Sequence, residues 1–106
     1  MSKLIPDELL STIPDLYDTE NQNDPLCLIK LFFADSNWTW FIIEYSKADK
    51  NTCYGYVQGF EDELGYFTLE ELKSVKSGGL GLTIEMDNSF VPTPLSTIKK
   101  SKDENR

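Results

Sequence analysis

A chain of 106 residues has room for one domain with its own hydrophobic core, and 40% hydrophobic and 12% aromatic content excludes a disordered polymer. A formal charge of −8 and a pI near 4.4 argue against direct binding to phosphate backbones. The absence of histidine removes the usual base of Ser-His and Cys-His catalysis.

The N-terminus "MSKLIPDELL" lacks the apolar core and cleavage site of a signal peptide, so a cytoplasmic protein is expected. Pro6 suits the first turn of a short helix, Asp7 and Glu8 complement its positive end, and Leu9, Leu10 and Ile13 supply an apolar face. Pro14 ends that helix, because Ile13 ahead of a proline is pushed out of helical geometry. "DTENQNDP" then reads as a polar loop. It offers calcium-loop oxygens at Asp18, Glu20 and Gln22, but Asn23 stands in place of the required glycine and Ile29 in place of the bidentate glutamate.

Three strand-like runs follow. "LCLIKLFF" (26–33) and "WTWFIIEYS" (38–46) flank the tight turn "ADSN", and "TCYGYVQGF" (52–60) comes after the polar turn "KADKN". Such short links predict an antiparallel meander. In the first run Leu26, Leu28 and Phe32 oppose Cys27, Ile29, Leu31 and Phe33. In the second, Trp38, Trp40 and Ile42 point one way and Phe41, Ile43 and Tyr45 the other. Both runs are apolar on both faces, so one face should meet the helices and the other needs the termini, the closing segment or another molecule. An aromatic patch at the surface is the alternative to aromatic pairs that simply stabilise the sheet. Trp40 is expected inside. Trp38, nearer the rim, and Tyr54 and Tyr56, which share a face, are the candidate contacts. Cys27 and Cys53 are too few for a zinc site and fall in expected strands, which leaves open whether they adjoin; two buried thiols are the expectation.

"TLEELKSVK" (68–76) carries a capping box at Thr68 and Glu71, with Leu69, Leu72 and Val75 on one face. "SGGLG" ends that helix through glycine and lacks the Lys-Ser/Thr of a phosphate loop. "LTIEMD" is expected as a short strand and "FVPTPLSTI" as an extended closing segment packed on the body. The fold expected is α+β: a small antiparallel meander of three or four strands with two short helices on one side. It forms a single domain over residues 1–98, and residues 99–106 form a flexible polar and basic tail.

The charge is uneven. Residues 1–94 hold sixteen acidic and six basic side chains, a net of −10, and the last twelve hold a net of +2. Such a chain is able to imitate a nucleic acid's phosphate array and enter a partner protein's basic groove. Asp15, Asp18, Glu20 and Asp24 form one candidate segment, and Glu61, Asp62 and Glu63 the other. No cofactor, catalytic residue or metal site is indicated. A carboxylate-metal hydrolase built from Glu44, Glu61, Asp62, Glu63, Glu85 and Asp87 is a lesser alternative.

Taken together, "LIPDELL", "DSNWTW" and "ELGYF" resemble a family of small bacterial proteins known as a domain of unknown function, common on plasmids, phages and conjugative elements. The resemblance runs from Leu4 to about Ile98, with Met86 standing where the family pattern has a basic residue. It implies a mobile-element accessory protein and supplies no catalytic residues. The function expected is therefore non-enzymatic binding to a protein partner with a basic nucleic-acid-binding surface, as an inhibitor of a defence system such as CRISPR or restriction. An accessory role in plasmid or phage DNA replication or transfer, through the aromatic sheet face, is the alternative.

Overall fold

The computed structural model describes residues 4–104. In chain order its elements are α1 (Asp7–Leu10), β1 (Leu26–Cys27), β2 (Ile29–Phe32), β3 (Thr39–Tyr45), β4 (Thr52–Gln58), β5 (Asp62–Thr68), α2 (Leu69–Ser74), β6 (Glu85–Met86), β7 (Thr93–Pro94) and α3 (Leu95–Glu104). Strands β2 to β5 form the expected antiparallel meander, and β6 joins its far side to give the order β5-β4-β3-β2-β6. β1 and β7 pair separately. The sheet system thus has more strands than the three or four expected. "ELGYF" adds β5, and the chain breaks at Leu28 so that β1 pairs with the closing segment rather than continuing into β2.

β3 is buried along its whole length, and one irregularity sets which way its side chains face. Its pairing with β4 is regular from Thr39↔Gln58 to Ile42↔Gly55 and then slips, so that Glu44 faces Tyr54 and Ile43 is the extra residue of a bulge. The slip puts Ile43 and Glu44 on one face and returns Tyr45 to the face of Trp40 and Ile42, where strict alternation would not place it. Gly55 is the partner this bulge requires. A Cβ there would run into the Phe41 carbonyl, backbone that has no freedom to yield.

Each face carries its own core. Trp40, Ile42 and Tyr45 pack with Ile29, Leu31 and Phe33, under Ile5 and Ile13 of the N-terminal segment, Leu69 and Leu72 of α2, and Ile84. On the other face Phe41, Ile43, Tyr56 and Cys27 meet Leu95 and Ile98 of α3. Helices therefore cover both faces, not one. Cys27 and Cys53 belong to opposite faces and are free thiols, each pushed up to about 12, mainly by burial.

The third helix corrects two expectations: Leu95–Ile98 are its start rather than the end of an extended segment, and 99–104 are its remaining six residues rather than a tail, with residues 105–106 outside those described. Its first turn is fixed from far along the chain. The Pro25 carbonyl accepts from Leu95 N at 3.0 Å, and Asp24 accepts from Ser96 N at 2.9 Å and from its hydroxyl at 2.7 Å. The capping box of α2 is as expected, Thr68 Oγ1 accepting from Glu71 N at 3.2 Å and Glu71 Oε1 from Thr68 N at 2.8 Å. Asn51 adds two more acceptors to that end. The helix ends before the glycines, with Val75 extended and partly exposed rather than on the buried face.

Asp49 organises the β3–β4 turn, accepting from Thr52 Oγ1 at 2.6 Å and from the N–H groups of Thr52 and Asn51 at 2.9 and 2.8 Å. These donors, the Thr52 hydroxyl foremost, hold its carboxyl down to about 2. Asp15, Asp24, Asp35 and Asp87 are lowered in the same direction by hydrogen bonds of their own. A carboxylate depressed on folding stabilises the native state above its unfolded pKa, and that support is lost as pH falls through the folded value. Stability measured by urea unfolding should therefore be level above about pH 5 and fall between about pH 4 and 2, less steeply in Asp49→Asn. Gly55→Ala should lower stability by about 3 kcal/mol in the same assay, because the added carbon meets backbone.

Candidate functional site

β5 is the last strand on its side of the sheet, and its outer edge pairs with no other strand among the described residues. An open edge presents N–H and C=O groups to any extended segment that reaches it. Three features accompany it. Asp62, Glu63 and Leu64 are exposed in its first half, with Glu61 just before. Gly65, at the centre, leaves the edge bare, and a Cβ there would meet nothing within 4 Å, so packing does not demand glycine. Aromatic groups stand at both ends.

At the hairpin end Phe60 is 95% exposed and sits edge-on to Trp38, ring centroids 5.4 Å apart. Trp38 in turn stacks on the buried Trp40 at 5.7 Å. Its ring occupies the space a side chain at position 59 would need, so Gly59 is what allows Trp38 to lie down there. At the other end, on the α3 face, Tyr66 meets Tyr54 across the β4–β5 pair at 5.1 Å, with Tyr17 beside it. Tyr17 is the main cause of a raised Tyr66 pKa, followed by burial and the negative charge of nearby groups, Glu44 among them. About 13 Å separates Asp62 from Tyr66 along the strand.

Glu44 holds the tyrosine end together. It is 3% exposed and accepts from Tyr17 N and Thr19 N at 2.9 Å each and from Thr19 Oγ1 at 2.5 Å. This clamp sustains Tyr17 at φ 72°, a left-handed conformation that costs a non-glycine residue about 1–2 kcal/mol.

A family model described as "Protein of unknown function (DUF2958)" matches residues 4–105. The chain belongs to this family. No curated protein and no solved structure matches it.

The DUF2958 chain brings part of the expected site together and disperses the rest. Trp38, Tyr54, Glu61, Asp62 and Glu63 all lie along the β5 side. Tyr56 does not join them at the surface: it is buried beneath α3, with Lys99 Nζ 5.5 Å from its ring centroid. Of the first acidic segment, Asp18 and Glu20 flank the exposed Tyr17 and its clamped loop. Asp15 accepts from the Leu16 and Lys47 N–H groups, and Asp24 caps α3, so both carboxylates are engaged in holding the fold.

The carboxylates considered for a metal do not converge. Glu44 faces the Tyr17 loop, Asp87 lies 3.8 Å from Lys30, Glu85 is on β6 and Glu61–Glu63 are at the opposite edge. No group of three or more potential ligands forms among the described residues. A groove of about 1100 Å³ opens between the sheet and α3, with Phe32, Phe41 and Phe90 among its apolar residues and Lys30 and Asp87 pairing off within it.

Sequence reasoning missed Tyr17, Phe60, Leu64 and Tyr66. The signal for Leu64 and Tyr66 was the alternation Asp62, Leu64, Tyr66 between the acidic turn and the capping box, and Phe60 stood at the end of the third strand-like run. Tyr17 had none, because its place depends on Glu44. The two aromatic layers at the hairpin end should respond differently to truncation. Phe60→Ala should change stability by less than about 0.5 kcal/mol and Trp38→Ala should cost about 2 kcal/mol while staying folded. Trp40→Ala should cost about 4 kcal/mol, all read from urea unfolding curves.

Proposed function

We propose that the chain is a non-enzymatic binding protein that takes an extended, basic segment of a partner protein along the β5 edge. One observation carries this reading: an unpaired strand edge, bare at Gly65, has Glu61, Asp62 and Glu63 on it and exposed aromatic groups at both ends. Backbone groups of an added strand supply affinity, alternate side chains supply specificity, and the acidic flank steers a cationic segment in. Basic segments of this kind belong to proteins that handle nucleic acids. The resemblance to proteins of mobile elements adds a reason for such a target, and inhibition of a defence system such as CRISPR or restriction, in the cytoplasm, is the role we favour. A second reading, an accessory module in replication or transfer of a mobile element, is favoured by the Trp38–Phe60 pair, an apolar grip that acidic mimicry alone does not need.

A fluorescein-labelled peptide of alternating lysine and valine tests the edge by fluorescence anisotropy. Glu61→Lys, Asp62→Lys and Glu63→Lys combined should weaken binding about tenfold or more at low salt. The charge-matched set Glu8→Lys, Glu70→Lys and Glu85→Lys, all exposed and none on β5 or its hairpin, should have a much smaller effect. Equal losses from the two sets would reduce the interaction to net charge and overturn the edge reading.

A further inference from the structure

The tyrosine end of β5 has a character of its own. Glu44 is a buried carboxylate whose hydrogen bonds all come from neutral groups, Tyr17 N, Thr19 N and the Thr19 hydroxyl. Among the described residues no lysine or arginine forms an ion pair with it. A carboxylate withdrawn from water and left without a countercharge makes its surroundings attractive to a cation.

The groups around it are suited to receive one. Tyr54 and Tyr66 present rings tilted by 52° at 5.1 Å, Tyr17 is held to the Glu44 carboxylate through its N–H, and Tyr17 and Tyr66 are 61% and 56% exposed. Tyrosine ring faces attract ammonium groups electrostatically. The molecule uses that attraction on its other two tyrosines: Lys47 Nζ lies 5.6 Å from the Tyr45 centroid, and Lys99 Nζ 5.5 Å from that of Tyr56. Of the five tyrosines, Tyr17, Tyr54 and Tyr66 alone have no cation over them among the described residues, and these three gather beside the unpaired Glu44.

We propose that Tyr17, Tyr54 and Tyr66, with the charge of Glu44 beneath them, form the seat for a lysine side chain of the partner protein. This rests on the reading of β5 as a partner-binding edge and names its anchor: a lysine ammonium at the Tyr66 end, with the remaining basic residues running toward Glu61–Glu63. Ring faces, rather than the tyrosine hydroxyls, make the contact.

The probe is a labelled peptide with one central lysine in a glutamine and valine background, compared with the same peptide acetylated at that lysine. Acetylation should weaken binding at least fivefold. Tyr66→Leu should weaken binding of the unmodified peptide to a similar degree, and Tyr66→Phe should retain it. Thermal melts confirm that each variant is folded, and Tyr54→Leu serves in place of Tyr66→Leu if that variant is not. Indifference to acetylation, or wild-type affinity in the leucine variant, would overturn the seat. If lysine–valine peptide binding depends on Glu61–Glu63 while Tyr66→Leu binds normally, the seat fails and the edge reading stands. If the leucine variant loses binding and the charge-reversed hairpin does not, the seat stands without that edge. Absence of binding by either peptide overturns both.

Discussion

The bulge between Ile42 and Glu44 is the constraint on which the rest of the arrangement depends. A regular β3 would send Glu44 to the face of Trp40 and Ile42, into a packed apolar layer where a carboxylate has no donors. The extra residue turns it to the α3 face, opposite Tyr54, where the chain from Asp15 to Gln22 folds over it and supplies backbone N–H groups. Pro14 takes part through its carbonyl, which accepts from Tyr45 N at 2.9 Å and so holds the incoming chain beside the end of β3. The positive φ of Tyr17 follows from that clamp and brings its ring toward Tyr66. Gly55 makes the bulge possible from the neighbouring strand. One inserted residue in a central strand therefore places a loop, a buried charge and three aromatic rings at the sheet's edge.

What was legible in the sequence was what depends on local chemistry. The capping box of Thr68 and Glu71, the turns at 34–37 and 47–51 and the meander of β2 to β4 all follow from neighbouring residues, whereas α1 stops at Leu10, short of the expected end at Pro14. The burial of Trp40 and the rim position of Trp38 followed from their order along one face. What depends on distant partners was hidden. No local pattern marks the bulge, because Ile42 and Ile43 are both apolar and suit either face. The break at Leu28 exists because β7 returns to pair with β1, Cys27 lying 66 positions before its partner Thr93. Helix α3 offers, among the residues whose burial is described, only Leu95 and Ile98 as buried, too few to announce a helix, and its first turn is held by Asp24 and Pro25.

The site was legible to the same extent. Its acidic members stand in one run, Glu61 to Glu63, and Trp38 belongs to an obvious aromatic pair. Its tyrosines come from three separated segments that only the folded sheet brings together. Tyr56 illustrates the converse. It shares a face with Tyr54, as alternation requires, but α3 covers one and stops short of the other, a difference set by where the helix lies and not by either residue.

An unpaired edge strand invites a second copy of the same chain, and the charge on β5 bears on which partner it accepts. A copy docking edge to edge would bring a second net charge of −8 against the first, which is unfavourable at low salt. Glu61, Asp62 and Glu63 attract a basic segment. Charged residues on an edge are a common protection against aggregation, and that purpose alone would be met by lysines as well as by acids. Protection alone does not account for the bare Gly65, where a side chain would fit without contact, or for a phenylalanine 95% exposed at the hairpin tip. Nor does it account for an unpaired buried carboxylate beneath exposed tyrosines at the opposite end. On the proposed reading those features add binding surface to the edge rather than closing it, and the chain's negative charge works against pairing with another copy.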